Sequence, residues 1–174
     1  PGMNSRQMAY ILCLGLLLAQ AAFAQTAIVA MCQIVCLDGD REGNFVRIDM
    51  EDSSLTTTTI EIHDAMKARF PRVGTVIQAY LRRTVDDAKA LAARGGNLRL
   101  CKGIYREPKA IAFHGKEEIR QSYLAAAEAL LTGEGSYVGL ATHDRVLAAR
   151  LVELVERLGT PKDRFEFQAL LGVP

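Results

Sequence analysis

From residue 45 onward the hydrophobic positions alternate between two rhythms, short apolar runs and longer segments with apolar residues three and four apart. The runs are "FVRIDM" (45–50), "VGTVIQAYL" (73–81), "NLRLCKGIY" (97–105), "SYVGLATHD" (136–144) and "RFEFQALLGV" (164–173). Their length and β-branched content predict strands. Between them lie four helical segments, "IEIHDAMKARF" (60–70), "TVDDAKALAARGG" (84–96), "KEEIRQSYLAAAEALLTG" (116–133) and "DRVLAARLVELVERLG" (144–159). Thr84 and Asp144 are candidate helix caps, and glycines stand where the second and third helices should stop. Strands separated by helices imply right-handed crossovers and a parallel sheet, as an open doubly wound fold or a barrel.

The first 31 residues follow a different pattern. In "MNSRQMAYILCLGLLLAQAAFAQTAIVAM" (3–31), Arg6 supplies a positive start, residues 8–19 an apolar stretch, and "AFA" (22–24) a small-x-small pattern. These are the marks of a secretory signal peptide. The run also suits an uncleaved membrane anchor, and the plain alternatives are an apolar barrel helix or an upstream segment foreign to the domain. The expected organisation is an apolar signal-like or anchor segment over 1–31 followed by one β/α domain over 32–174.

Composition narrows the function classes. The 174 residues suffice for one sizeable core but fall short of the ~250 of a complete α/β barrel. A net charge of +1 gives no global pull toward nucleic acid or anionic lipid, and the absence of tryptophan disfavours base stacking. Cys13, Cys32, Cys36 and Cys101 form no Cys-x-x-Cys pair and adjoin no histidine cluster, so no metal site is expected and ordinary buried thiols are. No glycine-rich phosphate loop follows a predicted strand.

The C-terminal halves of the strands are where chemistry concentrates. They carry Asp49, Glu51 and Asp52; Gln78 and Tyr80; Arg99, Lys102 and Tyr105; Thr142, His143 and Asp144; Glu166 and Gln168. In parallel β/α proteins this edge binds ligands. Polar groups among Ile, Val and Leu cost several kcal/mol unless partners satisfy them. One strand alone reads as an internal Asp49–Arg99 ion pair; five strands with the same polarity read as a shared site. His63, inside a helix, and His114, in a loop, read as surface residues. Glu117 and Glu118 read as the solvated start of a helix.

In order and in sequence, "FVRIDMED", "VGTVIQAYLRR", "NLRLCKGIYREP", "YVGLATHD" and "FEFQALLGV" resemble strands four to eight of the bacterial proline dehydrogenase barrel, from about Gly43 to Pro174. The resemblance implies a (β/α)8 TIM-barrel type, present here as a partial barrel. It also implies non-covalent FAD, oxidation of L-proline to Δ1-pyrroline-5-carboxylate, and a quinone acceptor. By the same resemblance Asp49 and Arg99 are paired active-site residues. Met50, Gln78, Arg99, Lys102, Gly103, Ile104, Thr142, His143 and Gln168 contact FAD. Tyr105 lines the pocket, and Glu166 lies nearby. Ile104 departs from the family, which commonly has alanine there, and adds bulk beside the cofactor.

The family also holds the proline carboxylate with an arginine pair after the last strand and a lysine on the first. This sequence lacks both, its first lysine being Lys67. The expectation is therefore a part-barrel, with activity compromised by truncation, in the cytoplasm at the inner-membrane surface. The alternative is a non-catalytic exported or membrane-anchored α/β binding domain. A third reading, a barrel enzyme for a phosphorylated substrate, accounts for Lys102 and Gly103 but not for Asp49, Gln78 and His143.

Overall fold

A computed structural model of the chain describes residues 10–12 and 21–172, with side chains from residue 31. Two compact units emerge, Pro1–Val76 and Ile77–Pro174. The described elements run β1 (Tyr10–Leu12), α1 (Ala21–Arg41), β2 (Val46–Ile48), α2 (Thr56–Lys67), β3 (Val73–Gln78), α3 (Thr84–Ala92), β4 (Asn97–Cys101), α4 (Lys116–Thr132), β5 (Tyr137–Ala141), α5 (Arg145–Arg157) and β6 (Phe165–Gln168). All five expected strands and four expected helices are present. The fold is α/β with parallel pairing, of the β/α-barrel type.

In the first unit β1 pairs with β2 and β2 with β3, both parallel, with Tyr10 opposite Val46 and Val46 opposite Val73. A strand at Tyr10–Leu12 was not anticipated, because the apolar stretch around it carries no turn signals. The rest of the expected apolar stretch, residues 8–9 and 13–19, lies outside the described residues. "AFA" at 22–24 falls within α1, which continues past Met31 to Arg41. Among the described residues no helix is long and apolar enough to cross a membrane.

One helical turn apart on α1, Cys32 and Cys36 are buried with Val46, Ile48, Ile62, Met66, Phe70 and Val73. Burial pushes both thiols up to about 11, and each such apolar side chain taken from water contributes roughly 1.5–3 kcal/mol. Helix α2 begins at Thr56 rather than residue 60. Asp52 starts this segment, its Oδ1 accepting from Ser54 N (2.9 Å) ahead of one 3-10 turn, Ser53–Leu55. The phase of α2 carries Thr59, Ile62, His63 and Met66 inward, so His63 is buried rather than on the surface. Its Nδ1 lies 3.1 Å from Asp64 Oδ1. His114 is exposed, as expected, with Nε2 2.8 Å from Glu107 O.

In the second unit β4 pairs with β5 and β5 with β6, again parallel. Past the end of β3, Ala79 N and Tyr80 N donate to Cys101 O and Lys102 O. Helix α4 packs on α3 and on α5. Strand residues alternate faces, so Leu98, Leu100, Val138 and Leu140 are buried with Tyr123, Ala126, Ala127 and Leu130 of α4 and Leu147 and Leu151 of α5. Asp144 caps α5 as anticipated, its side chain accepting from Val146 N and Leu147 N. Thr84 does not cap α3. It is the first helical residue, and its hydroxyl donates to the carbonyl of Gln78 (2.5 Å). The strand-end acceptor captures the donor that a cap would have left to water.

Candidate functional site

The phase of β4 separates its side chains. Leu98 and Leu100 are fully buried, while Asn97, Arg99 and Cys101 are half-buried on the other face. Arg99 pairs in register with Gly139 on β5, and Gly139 with Glu166 on β6. The missing side chain at Gly139 leaves a gap, and the Gln168 amide fills it. A Cβ there would stand 2.6 Å from Gln168 Nε2. Through this gap Gln168 Oε1 accepts from Arg99 Nε at 2.8 Å, while Gln168 Nε2 donates to Glu166 Oε1 at 2.6 Å. Three strands are thus spanned by one relay, Glu166–Gln168–Arg99. The partner of the guanidinium is a neutral amide, which leaves its positive charge intact for an anion.

Just past β4, Lys102 Nζ donates to Asp144 Oδ2 (3.1 Å). The same carboxylate accepts a two-pronged bond from Arg120 of α4, Nε to Oδ2 (2.9 Å) and Nη2 to Oδ1 (3.0 Å). These bonds, Arg120 foremost, hold the Asp144 carboxyl well below the usual carboxylate range. Thr142 Oγ1 accepts from Asp144 N, and Thr142 N donates to Gln168 O. His143 Nε2 accepts from Leu170 N, securing the chain after β6. Fully buried, Tyr123 donates its hydroxyl to Leu100 O (2.6 Å) with Ala141 O at 3.3 Å, locking the ends of β4 and β5 to α4.

Gly103 follows with φ of +99°, and a Cβ there would fall 2.1 Å from the ring of Tyr80. Glycine is therefore required by backbone conformation and by packing on Tyr80. Beyond the turn, Ile104 is 86% exposed and Tyr105 39%. Two uncovered apolar side chains thus follow Lys102 and Gly103 along the chain. Gln78, also at a strand end, is buried, its carbonyl taken by Thr84.

Lys102, Gly103, Ile104, Tyr105, Thr142, His143 and Gln168 lie at or just beyond the C-terminal ends of β4, β5 and β6, while Arg99 lies in the middle of β4 and Glu166 near the start of β6. Asp49 and Met50 belong to the first unit, just past β2. There Asp49 Oδ1 accepts from Met50 N (3.0 Å), and Met50 is buried. Arg120, Gly139 and Tyr123 were missed. Tyr123 and Gly139 look like core residues in sequence, and Arg120 looks like one more charge on an amphipathic helix. The one signal within reach was register: a glycine inside "YVGLA", opposite Arg99, marks a gap.

This donor set suits a flavin dinucleotide: cations for phosphate and for a ring system that gains negative charge on reduction, and exposed apolar surface for that ring to cover. Comparison with known proteins identifies the family. The proline dehydrogenase family model matches residues 12–173, thirty residues further toward the N-terminus than the sequence motifs reached. Proline dehydrogenase 1 of Bacillus subtilis (strain 168) is 39% identical over 128 residues, 74% of this chain and 42% of that protein. Proline dehydrogenase of Deinococcus radiodurans is 35% identical over 133 residues, 75% of this chain and 43% of that protein. The chain thus spans less than half the length of these curated relatives. Among solved structures, proline utilization A from Bdellovibrio bacteriovorus, inactivated by N-propargylglycine, superposes with a TM-score of 0.77 and 28% identity. It covers 87% of this chain and 18% of that one. A proline utilization A from Bradyrhizobium japonicum shares the fold with a TM-score of 0.73 at 24% identity, over 87% of this chain and 18% of that one.

Proposed function

The chain belongs to the proline dehydrogenase family, and from that premise we propose that it takes part in FAD-dependent oxidation of L-proline to Δ1-pyrroline-5-carboxylate, with a quinone as electron acceptor. The observation that carries this reading is the grouping of Arg99, Gln168 and Lys102 on β4 and β6 and just past β4, followed by the uncovered Ile104 and Tyr105. FAD, when bound, would supply the two-electron acceptor, as the proline ring carbon next to nitrogen gives up a hydride and the nitrogen a proton.

The chain's own residues set the stage for that loss. Arg99, oriented by Gln168, holds positive charge where negative charge develops, the kind of preorganised stabilisation that lowers a barrier most. Lys102 meets phosphate oxygens, with the turn at Gly103 holding the backbone clear. Ile104 and Tyr105 cover ring surface and exclude water. Gln78, Thr142 and His143 line the same strand edge, and Asp49 and Met50 take the roles that the family gives them at the end of β2. A quinone acceptor goes with a working position at the cytoplasmic membrane surface, which cell fractionation tests.

The direct test is titration of the purified chain with FAD, followed by anaerobic addition of L-proline. Saturable quenching of flavin fluorescence and bleaching of the bound flavin by L-proline are expected. Arg99→Met is expected to slow the bleaching about 10²-fold, the scale of one lost stabilising donor. A chain that holds no flavin at saturating FAD overturns the proposal.

A further inference from the structure

We infer that Arg120 of α4 is a positioning residue of the phosphate end of this site, which keeps the charge of Lys102 available by taking up that of Asp144. The inference rests on the reading above that Lys102 meets phosphate. Its basis is the saturation of one carboxylate. Asp144 accepts five N–H groups: Oδ1 from Arg120 Nη2, Val146 N and Leu147 N, and Oδ2 from Arg120 Nε and Lys102 Nζ. A carboxylate offers about four lone-pair sites, so Lys102 shares an acceptor already committed to Arg120 and the helix cap. An ammonium has three donors, and only one of them is turned to Asp144.

Charge counting agrees. The connected cluster is Lys102, Arg120 and Glu117 of α4, Asp144 and Arg150 of α5, with Arg150 also bridging to Glu117. Three cations stand against two carboxylates. Lys102 and Arg150, at opposite ends of the cluster, are each 39% exposed, while the Asp144 side chain is 9% exposed. Arg150 pairs with Glu117 and Arg120 takes both oxygens of Asp144, so the cation in surplus is Lys102, beside Gly103. Removing Arg120 leaves two cations against two carboxylates, and Lys102 becomes fully compensated. Removing the Asp144 charge as well restores the surplus.

The test is FAD titration of the full chain in wild type, Arg120→Gln, Arg120→Lys and the double variant Arg120→Gln/Asp144→Asn, with riboflavin, which has no phosphate, as the control ligand. Arg120→Gln is expected to weaken FAD about tenfold, the scale of one charge-assisted hydrogen bond, and to leave riboflavin unchanged. Arg120→Lys retains most of the affinity, and the double variant recovers it to within about threefold of wild type. A second readout needs no flavin: acetylation of Lys102, followed by mass spectrometry, slows in Arg120→Gln because the freed Asp144 stabilises the ammonium, and quickens in Asp144→Asn. Equal FAD affinity in wild type and Arg120→Gln, an equal loss for riboflavin, or a double variant weaker than the single one overturns the inference. If the wild type binds no flavin, the functional reading falls, and the Lys102 acetylation rates still decide whether Arg120 governs that amine.

Discussion

The ends of β2 and β4 are both polar, yet they use their polar groups in opposite ways. In the first unit, Thr75 donates its hydroxyl to Ile48 O (2.8 Å) and Arg47 Nη1 donates to Thr75 O (3.1 Å). Asp49 accepts from the next backbone amide. These side chains are buried or nearly so and are directed at the main chain. In the second unit buried Tyr123 and Thr84 also reach main-chain carbonyls, but the half-exposed groups bond one another, Arg99 to Gln168 to Glu166 and Lys102 to Asp144 to Arg120. Bonds from a side chain to a buried carbonyl cannot be exchanged without exposing that carbonyl. Bonds between half-exposed side chains can be exchanged for bonds to a ligand. The first arrangement stabilises a strand pair; the second is suited to binding.

Mutations can break or sharpen this contrast. The largest effect is expected from Gly103→Ala, which combines a positive φ with a contact that Tyr80 must vacate. A loss of about 2–4 kcal/mol in urea denaturation is expected. A loss under 1 kcal/mol would show that Tyr80 yields easily. Next is Thr75→Val in the first unit, where a buried carbonyl loses its donor. A cost of about 1–3 kcal/mol is expected with unchanged FAD affinity, and altered affinity would erase the contrast.

Asp144→Ala should cost about 1–2 kcal/mol at neutral pH through the lost helix cap. The folded-state pKa of Asp144 lies below its unfolded value. Its charge therefore stabilises the fold above about pH 4, and that contribution disappears as pH falls toward the folded value. The deficit of the variant should accordingly shrink in acid, and a deficit independent of pH argues against the ion pairs. The smallest effect on stability is expected from Gly139→Ala, under about 1 kcal/mol, since only the flexible end of Gln168 must move. Its FAD affinity should nevertheless fall several-fold, because Gln168 can no longer reach Arg99.

Much of this was legible in the chain itself. Apolar runs of the right length marked β2 to β6, helical composition and stop signals marked α2 and α3, and amphipathic spacing marked α4 and α5, because burial against a parallel sheet demands those periods. Strand ends were overextended, since "KGIY" and "THD" continue the composition of their strands while turning away from the sheet. His63 was misplaced because four residues of helix phase, set by a start at Thr56, decide which face it takes. β1 was missed because a three-residue strand leaves almost no pattern.

By itself the sequence determined the alternation of strands and helices, the polarity of the strand ends and the family, because hydrophobic period and motif order are properties of the chain. Only the tertiary structure decided who partners whom. Arg99 meets Gln168 because parallel register puts Gly139 between them and a missing Cβ lets the amide through. Lys102 and Arg120, eighteen residues apart in the chain, meet on one Asp144 oxygen because α4 packs across the ends of these strands. Such pairings depend on distances across strands and helices, and no spacing along the chain encodes them.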